Sequence, residues 1–571
     1  MGLAIRDAAS TKTHEMPRDL SFVFGIIPKD VFDAMSEGVV IGDSAQDFDI
    51  TRISTGQTRA WKATEEVMIE ETKIQYVKES LPSELLSPIC DILPNSDIKN
   101  LRLAGPLLGR KCQLQISRVF ISPNPRNLDV VRSTASLETY HLGIEEVIWD
   151  DATLMPFGRD EVLFDEYSDE SEEEDSAEKD AEGRECFSWY TRGCKRNIKA
   201  VKDRMADQVS RPDALSWKAN GELSWRQKTD EDVLRYALHQ FPKLKRVIVT
   251  PAAQGYLFEP LYKIPMIRSF PYDLIYPVPR GWPTPWPRRP WAFVMPWIGD
   301  EAVEEQKNQW HGARIVTKVL AEMKHNVTEL IFDDHLLQTG INHLALNRGT
   351  EEYNNFCDII KCPGFRKLKL SLLVGLWLAE EYDIYEKRYL RDALYQATDM
   401  RHFSFHTDFA TNRYTSTVDI HQYASLFDVF PIDRWQKLTH FGLSNVLATQ
   451  NDLISFLSKL PPTVQTVELS FLTFMKGEGH YRSLIEDIRD KLNWKHRPVE
   501  EKIKIHVKSF CYLSYYGRYI CINREIEEYV YNGGSQPFQL GQRGNGSDVD
   551  QGTGVQRDLF DPSWERPNES S

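Results

Sequence analysis

Apolar residues along this chain recur with two different spacings. Between Leu81 and Ser122 the spacing is helical: Leu85, Leu86, Ile89, Ile92 and Leu93, then Ile98, Leu101, Leu103, Leu107 and Leu108. Pro94-Asn95-Ser96 breaks the first run, and Ser96-Asp97 is placed to cap the second. This predicts two or three helices of about ten residues each, too short to bury every apolar side chain among themselves. From Tyr140 the pattern becomes apolar-x-x-apolar-x-apolar. It occurs at Ile144/Val147/Trp149, Leu244/Val247/Val249, Val327/Leu330/Phe332, Phe365/Leu368/Leu370, Met400/Phe403/Phe405, Leu438/Phe441/Leu443 and Val464/Val467/Leu469. Helical faces precede several of these. Val233, Leu234, Ala237, Leu238 and Phe241 come before Leu244; Ile315, Val316, Val319, Leu320 and Met323 come before Val327. Leu453, Ile454, Phe456, Leu457 and Leu460 come before Val464, with Thr449 and Asp452 placed for a capping arrangement. Helix, turn and strand in repetition predict an α/β body in which each unit adds a parallel strand and returns by a right-handed crossover.

Alternation along a strand sends the motif's apolar positions inward and their neighbours outward. The outward set is Ile331, Asp333, Lys369, Ser371, Ser404, His406, Ser444, Glu468 and Ser470. Within it, Asp333, Lys369, Ser404, His406, Ser444 and Glu468 are the candidate residues for holding a partner.

Composition alters this picture in a few places. The 571 residues are 41% hydrophobic and 11% aromatic, enough for a sizeable core. Of the net charge of −15, −12 falls between Asp160 and Glu185, leaving −3 for the rest and no overall basic field for nucleic acid. That acidic run is too charged to pack and is expected as a disordered insertion. A second insertion, residues 276–297, is rich in proline, which forbids regular helix or central strand. Its Trp282, Trp286, Trp291 and Trp297 are expected to pack across one edge of the repeats as a structural arm, the alternative being a ligand-facing aromatic loop. Residues 1–77 read as a weakly ordered extension, and the Gly-, Ser-, Asp- and Gln-rich segment 532–571 as a disordered tail. No apolar run approaches the eighteen or so residues of a membrane span, and the first residues lack a secretory pattern. The expectation is a soluble protein of the cytoplasm, the nucleus or both, without a membrane partner.

The search for reactive chemistry returns little. The eight cysteines include no C-x-x-C pair, so neither a metal site nor a disulfide framework is expected. There is no phosphate-cradling loop, nucleophile elbow or dinucleotide fingerprint. Asp333-Asp334-His335 comes nearest to a catalytic cluster, but in a continuing strand only Asp333 and His335 share a face. No catalytic, cofactor or metal residue is assigned, and the chain is not expected to be an enzyme.

One stretch carries a family resemblance. Leu81-Pro82-x-Glu84-Leu85-Leu86, followed by Ile89, Ile92-Leu93-Pro94, Asp97-Ile98 and Leu101-Arg102-Leu103, resembles an F-box. The continuation from Arg118 to Leu128 is similar to a group of fungal F-box proteins with leucine-rich-repeat-like bodies. The sequence departs from the family pattern at Pro88, inside the first helix, and at Ala104-Gly105-Pro106. The resemblance implies docking on a Skp-type adaptor and, through it, a cullin–RING ubiquitin ligase. Leu81, Pro82, Leu85, Leu86, Ile89, Leu93, Ile98 and Leu101 would form or support the adaptor surface, and the body would hold an unknown target protein. The other reading is a repeat scaffold whose degenerate box binds no adaptor. The expected architecture is therefore α/β: an F-box-like helical module over 78–122, then an irregular leucine-rich-repeat-like solenoid over 140–531.

Overall fold

The computed structural model describes residues 83–151, 229–251, 296–335, 339–374, 388–408, 423–510, 518–539, 546–558 and 565–568, together with Tyr262 and Trp282. The chain divides into two units, residues 1–116 and 117–571. The expected N-terminal extension and the acidic insertion lie outside the described residues, as does most of the Pro/Trp-rich segment.

The first unit contains three short helices, α1 (Ser83–Ile92), α2 (Asn95–Leu103) and α3 (Pro106–Lys111). Leu86, Ile89, Cys90, Leu93, Ile98, Leu108 and Cys112 close a small core, with Leu101 and Leu114 packed against it. Pro88 is exposed, and α1 runs through it. At the sixth helical position its missing N–H removes only an early bond of the ladder. The cap of α2 differs from expectation: Pro94 occupies the N-cap without a side-chain bond, and Ser96 and Asp97 lie inside the first turn. Pro94 already has the extended backbone that precedes a helix, so the helix begins two residues earlier than a Ser96 cap would set it.

The second unit is α/β and built on a ten-stranded, parallel sheet. Nine strands follow one another in chain order: β1 (Arg118–Ile121), β2 (Glu146–Asp150), β3 (Arg246–Thr250), β4 (Glu329–Phe332), β5 (Lys367–Leu373), β6 (His402–Thr407), β7 (His440–Ser444), β8 (Thr466–Ser470) and β9 (Lys504–His506). The tenth, Ile341–Asn342, pairs with the end of β5. Among the described strands the order never reverses, so they form no strand-order switch point of the kind that makes a crevice in doubly wound folds. Right-handed crossovers that always step the same way lay their helices on one face. Helices 125–136, 229–240, 311–322, 351–360, 389–394, 426–429, 450–457 and 481–491 accordingly neighbour one another in chain order.

On the helix side one register row runs Val119, Val147, Val247, Leu330, Leu368, Phe403, Phe441, Val467 and Ile505. Every member is buried, at roughly 1.5–3 kcal/mol of hydrophobic stabilisation for each fully buried side chain. The seven sequence motifs fall on β2 to β8. Thr449 caps helix 450–457 as expected, its hydroxyl accepting the Asp452 N–H at 3.3 Å.

Two expectations need correction. The boundary of the helical module lies before Ser117, because Arg118–Ile121 is the first strand of the sheet. Ile116-x-x-Val119-x-Ile121 is another copy of the repeat pattern, one period before the others. The segment after Asn532 is not a structureless tail either. Val555–Asp558 pairs antiparallel with Arg518–Cys521 and Glu565–Pro567 with Val555–Arg557, while Phe538–Gln539 pairs with Asp548–Val549. Phe538 supplies the reason: it is fully buried and stacked on Tyr481 at 5.0 Å between centroids.

Candidate functional site

Leu81 and Pro82 lie outside the described residues, and only the backbone of Leu85 is described, within α1. Leu86, Ile89, Leu93 and Ile98 are 3%, 7%, 6% and 0% exposed, so they hold the three helices together and present no surface. Leu101 is half-buried at the edge of that core. Among the described residues of this unit, the large apolar side chains left exposed are Ile92 and Leu103, at 59% and 75%. Sequence periodicity places both in helices but does not say which apolar residue of each helix faces out.

The second surface is the sheet face opposite the helices. Its first register row is Arg118, Glu146, Arg246, Glu329, Lys367, His402, His440, Thr466 and Lys504. The first four alternate in sign and are joined: Arg118 Nε to Glu146 Oε1 at 2.8 Å, Arg246 to Glu146 at 3.0 Å and to Glu329 at 2.7 Å. Arg366 adds a further contact to Glu329 at 3.0 Å. Burial alone would raise the Glu329 pKa, but the two guanidinium groups hold it below its ordinary value. Beyond β4 the row changes. Burial and the nearby Arg246 lower the pKa of the Lys367 ammonium. His402 and His440 stack with centroids 3.9 Å apart, and burial pushes them down to about 3 and about 4. Ser404 Oγ stands 3.4 Å from His402 Nε2 and 3.2 Å from His440 Nε2.

The second row carries Lys369, Ser404, Gly442, Glu468 and His506. Lys369 binds Asp333 at 2.6 Å and Lys508 binds Glu468 at 2.9 Å. Burial works to raise the Glu468 pKa, yet Lys508 and the Ser470 hydroxyl bring it to about 2. The third row, Ser371, His406, Ser444 and Ser470, departs from expectation. Ser371, His406 and Ser470 are 0%, 3% and 0% exposed, so His406 cannot touch a partner there. Ile331 is likewise buried. Asp333, Lys369, Ser404, Ser444 and Glu468 are half-buried.

The burial of the third row follows from how the strands end. His335, Asn445 and Phe471 take left-handed backbone conformations, with φ of 49°, 54° and 52°. The turns bring Asp334 and Asn445 to that row. Ser371 Oγ donates to Asp334 Oδ1 at 3.0 Å, and His406 Nε2 lies 3.2 Å from both Asp334 Oδ2 and Asn445 Nδ2. Sequence alternation paired Asp333 with His335 and set Asp334 aside; the turn after β4 is what gives Asp334 these contacts. Serine, histidine and aspartate do meet here, but the Ser371 hydroxyl is bonded to Asp334 and the Phe332 carbonyl, not to the imidazole. The serine–histidine hydrogen bond of a nucleophile–base pair is therefore missing from this group.

The described tryptophans of the second insertion are structural. Trp282 is buried and donates to Asp151 at 2.8 Å, a carboxylate that also accepts the Gly312 N–H at 2.7 Å. Trp297 donates to Glu352 at 2.9 Å and packs edge-on against Trp310. Trp286 and Trp291 lie outside the described residues. Among the described residues, no three His, Cys, Asp or Glu side chains are grouped to hold a metal, and no helix is long and apolar enough to cross a membrane. No protein-family model matches the chain, and none of the curated proteins searched matches it.

Proposed function

We propose that this protein is a substrate receptor of a Skp–cullin–F-box ubiquitin ligase, with residues 83–116 as the adaptor module and a leucine-rich-repeat-like solenoid as the target-binding body. The observation that carries this reading is the pair Ile92 and Leu103, apolar and 59% and 75% exposed on a helical unit whose own core is already closed. Two large apolar side chains so exposed on one small helical unit are what such a docking surface would offer a partner. The resemblance of the same stretch to an F-box names the partner as a Skp-type adaptor. The strand order supports the solenoid, since units that each add one parallel strand in chain order stack without reversal. The protein's contribution is positional: it raises the effective concentration of a target near a ubiquitin-charged enzyme and makes or breaks no bond itself.

The test is co-purification of the adaptor with the full chain and with Ile92→Asp/Leu103→Asp. Both positions are exposed, so the variant should fold, whereas a charge at Ile89 would strike the core. Adaptor recovered with the native chain and lost with a variant of unchanged melting temperature is the expected result. No adaptor with the native chain would leave a repeat scaffold instead.

A further inference from the structure

The first row of the open sheet face changes character between β4 and β5. Up to Glu329 each charge has an opposite partner. From β5 to β9 the row reads Lys367, His402, His440, Thr466, Lys504, without a carboxylate. Lys367 makes no hydrogen bond or ion pair among the described residues, and Lys504 is exposed. The nearest carboxylate in the row, Glu329, already holds Arg246 and Arg366. In the adjoining row stands Gly442, buried where Ser404, His440 and Glu468 close in on its Cα, so that only a residue without a side chain fits beside the imidazoles. A Cβ there would meet Ser404 Oγ at 3.1 Å and His440 Nε2 at 3.2 Å. The result is a row in which the stacked imidazoles of His402 and His440 lie between Lys367 and Lys504.

We propose that this half of the sheet face receives an extended, carboxylate-rich segment of a partner protein, with its acidic side chains meeting Lys367 and Lys504. The inference rests on the receptor reading for its biological role and names the chemical class of the target. Five strands at about 4.8 Å spacing span about 19 Å, the length of an extended peptide of about six residues. The imidazole and hydroxyl groups between the lysines can hydrogen-bond to carboxylates on such a chain. Nucleic acid fits less well: Lys369 and Lys508 are already engaged by Asp333 and Glu468, leaving too few free cations to follow a phosphate backbone. The row also lacks the Phe, Tyr or Trp platform on which bases stack.

The experiment measures fluorescence anisotropy of a labelled oligoglutamate peptide of about eight residues, long enough for the row, with the full-length protein at physiological salt. Three proteins are compared: wild type, Lys367→Glu/Lys504→Glu, and Lys243→Glu/Lys495→Glu, which makes the same change in charge off this row. Saturable binding is expected, weakened at least tenfold by the row variant and unchanged by the control. Absence of binding to wild type, equal loss in both variants, or tighter binding of single-stranded RNA or anionic vesicles through the same lysines would overturn the proposal. Adaptor co-purification is scored on the same proteins. Peptide binding without adaptor would defeat the receptor reading and keep the site; adaptor without peptide binding would do the reverse.

Discussion

His402 and His440 lie face to face on neighbouring parallel strands, their planes 5° from parallel. Around them stand Lys367, Lys369, Ser404, Glu468, His506 and Lys508. Burial holds the folded pKa values at about 3 and about 4, against 6.5 for an ordinary imidazole. Above pH 6.5 neither state takes up a proton, so the pair's full contribution is present. As pH falls below that, the unfolded chain binds two protons that the fold refuses until about 4 and about 3.

Acid should therefore destabilise the sheet, with an upper limit of about 1.4 kcal/mol per pH unit for each imidazole and less for their partial exposure. Urea midpoints at pH 7 and pH 5 should differ by more in wild type than in His402→Gln/His440→Gln. An equal acid loss in both proteins would show that the pair does not carry this dependence.

Arg246 joins two carboxylates whose side chains are only 8% and 7% exposed. Removing it in Arg246→Met leaves Glu146 and Glu329 short of a counter-charge in a half-dry row, at a cost of about 2–3 kcal/mol. Arg118→Met removes a 53% exposed partner of the same Glu146 and should cost under about 1 kcal/mol. Equal costs by chemical denaturation would contradict the ladder as described.

Phe538 is 0% exposed against Tyr481, whose hydroxyl accepts the Leu472 N–H and donates to the Leu469 carbonyl. Phe538→Ala should cost about 3–5 kcal/mol. A chain ended after Asn532 should lose at least as much. An unchanged melting temperature in either would return this segment to the status of a loose tail.

The strands were legible because their chemistry is local. Leu368 and Leu370 alternate with Lys367, Lys369 and Ser371, and the helix before β3 declares its own period through Val233, Leu234, Ala237 and Leu238. The same signal runs through Ile116 into β1 at Val119 and Ile121, but its adjacency in sequence to the helical module hides the boundary. His406 departs from expectation for a different reason. Alternation gives the side of the sheet on which it stands, while its burial depends on the left-handed turns that bring Asp334 and Asn445 to it. Likewise, one buried aromatic, Phe538, outweighs the Gly- and Ser-rich composition around it. In the helical module, periodicity grouped Ile89 with Ile92, and only packing separates the core residue from the exposed one.

The most direct measurement of the central claim is hydrogen exchange on the full chain with and without saturating Skp-type adaptor. The account predicts slowed exchange within residues 83–116 and unchanged exchange across the parallel strands. Protection confined to residues 117–571, or no protection in the helical module, would contradict it.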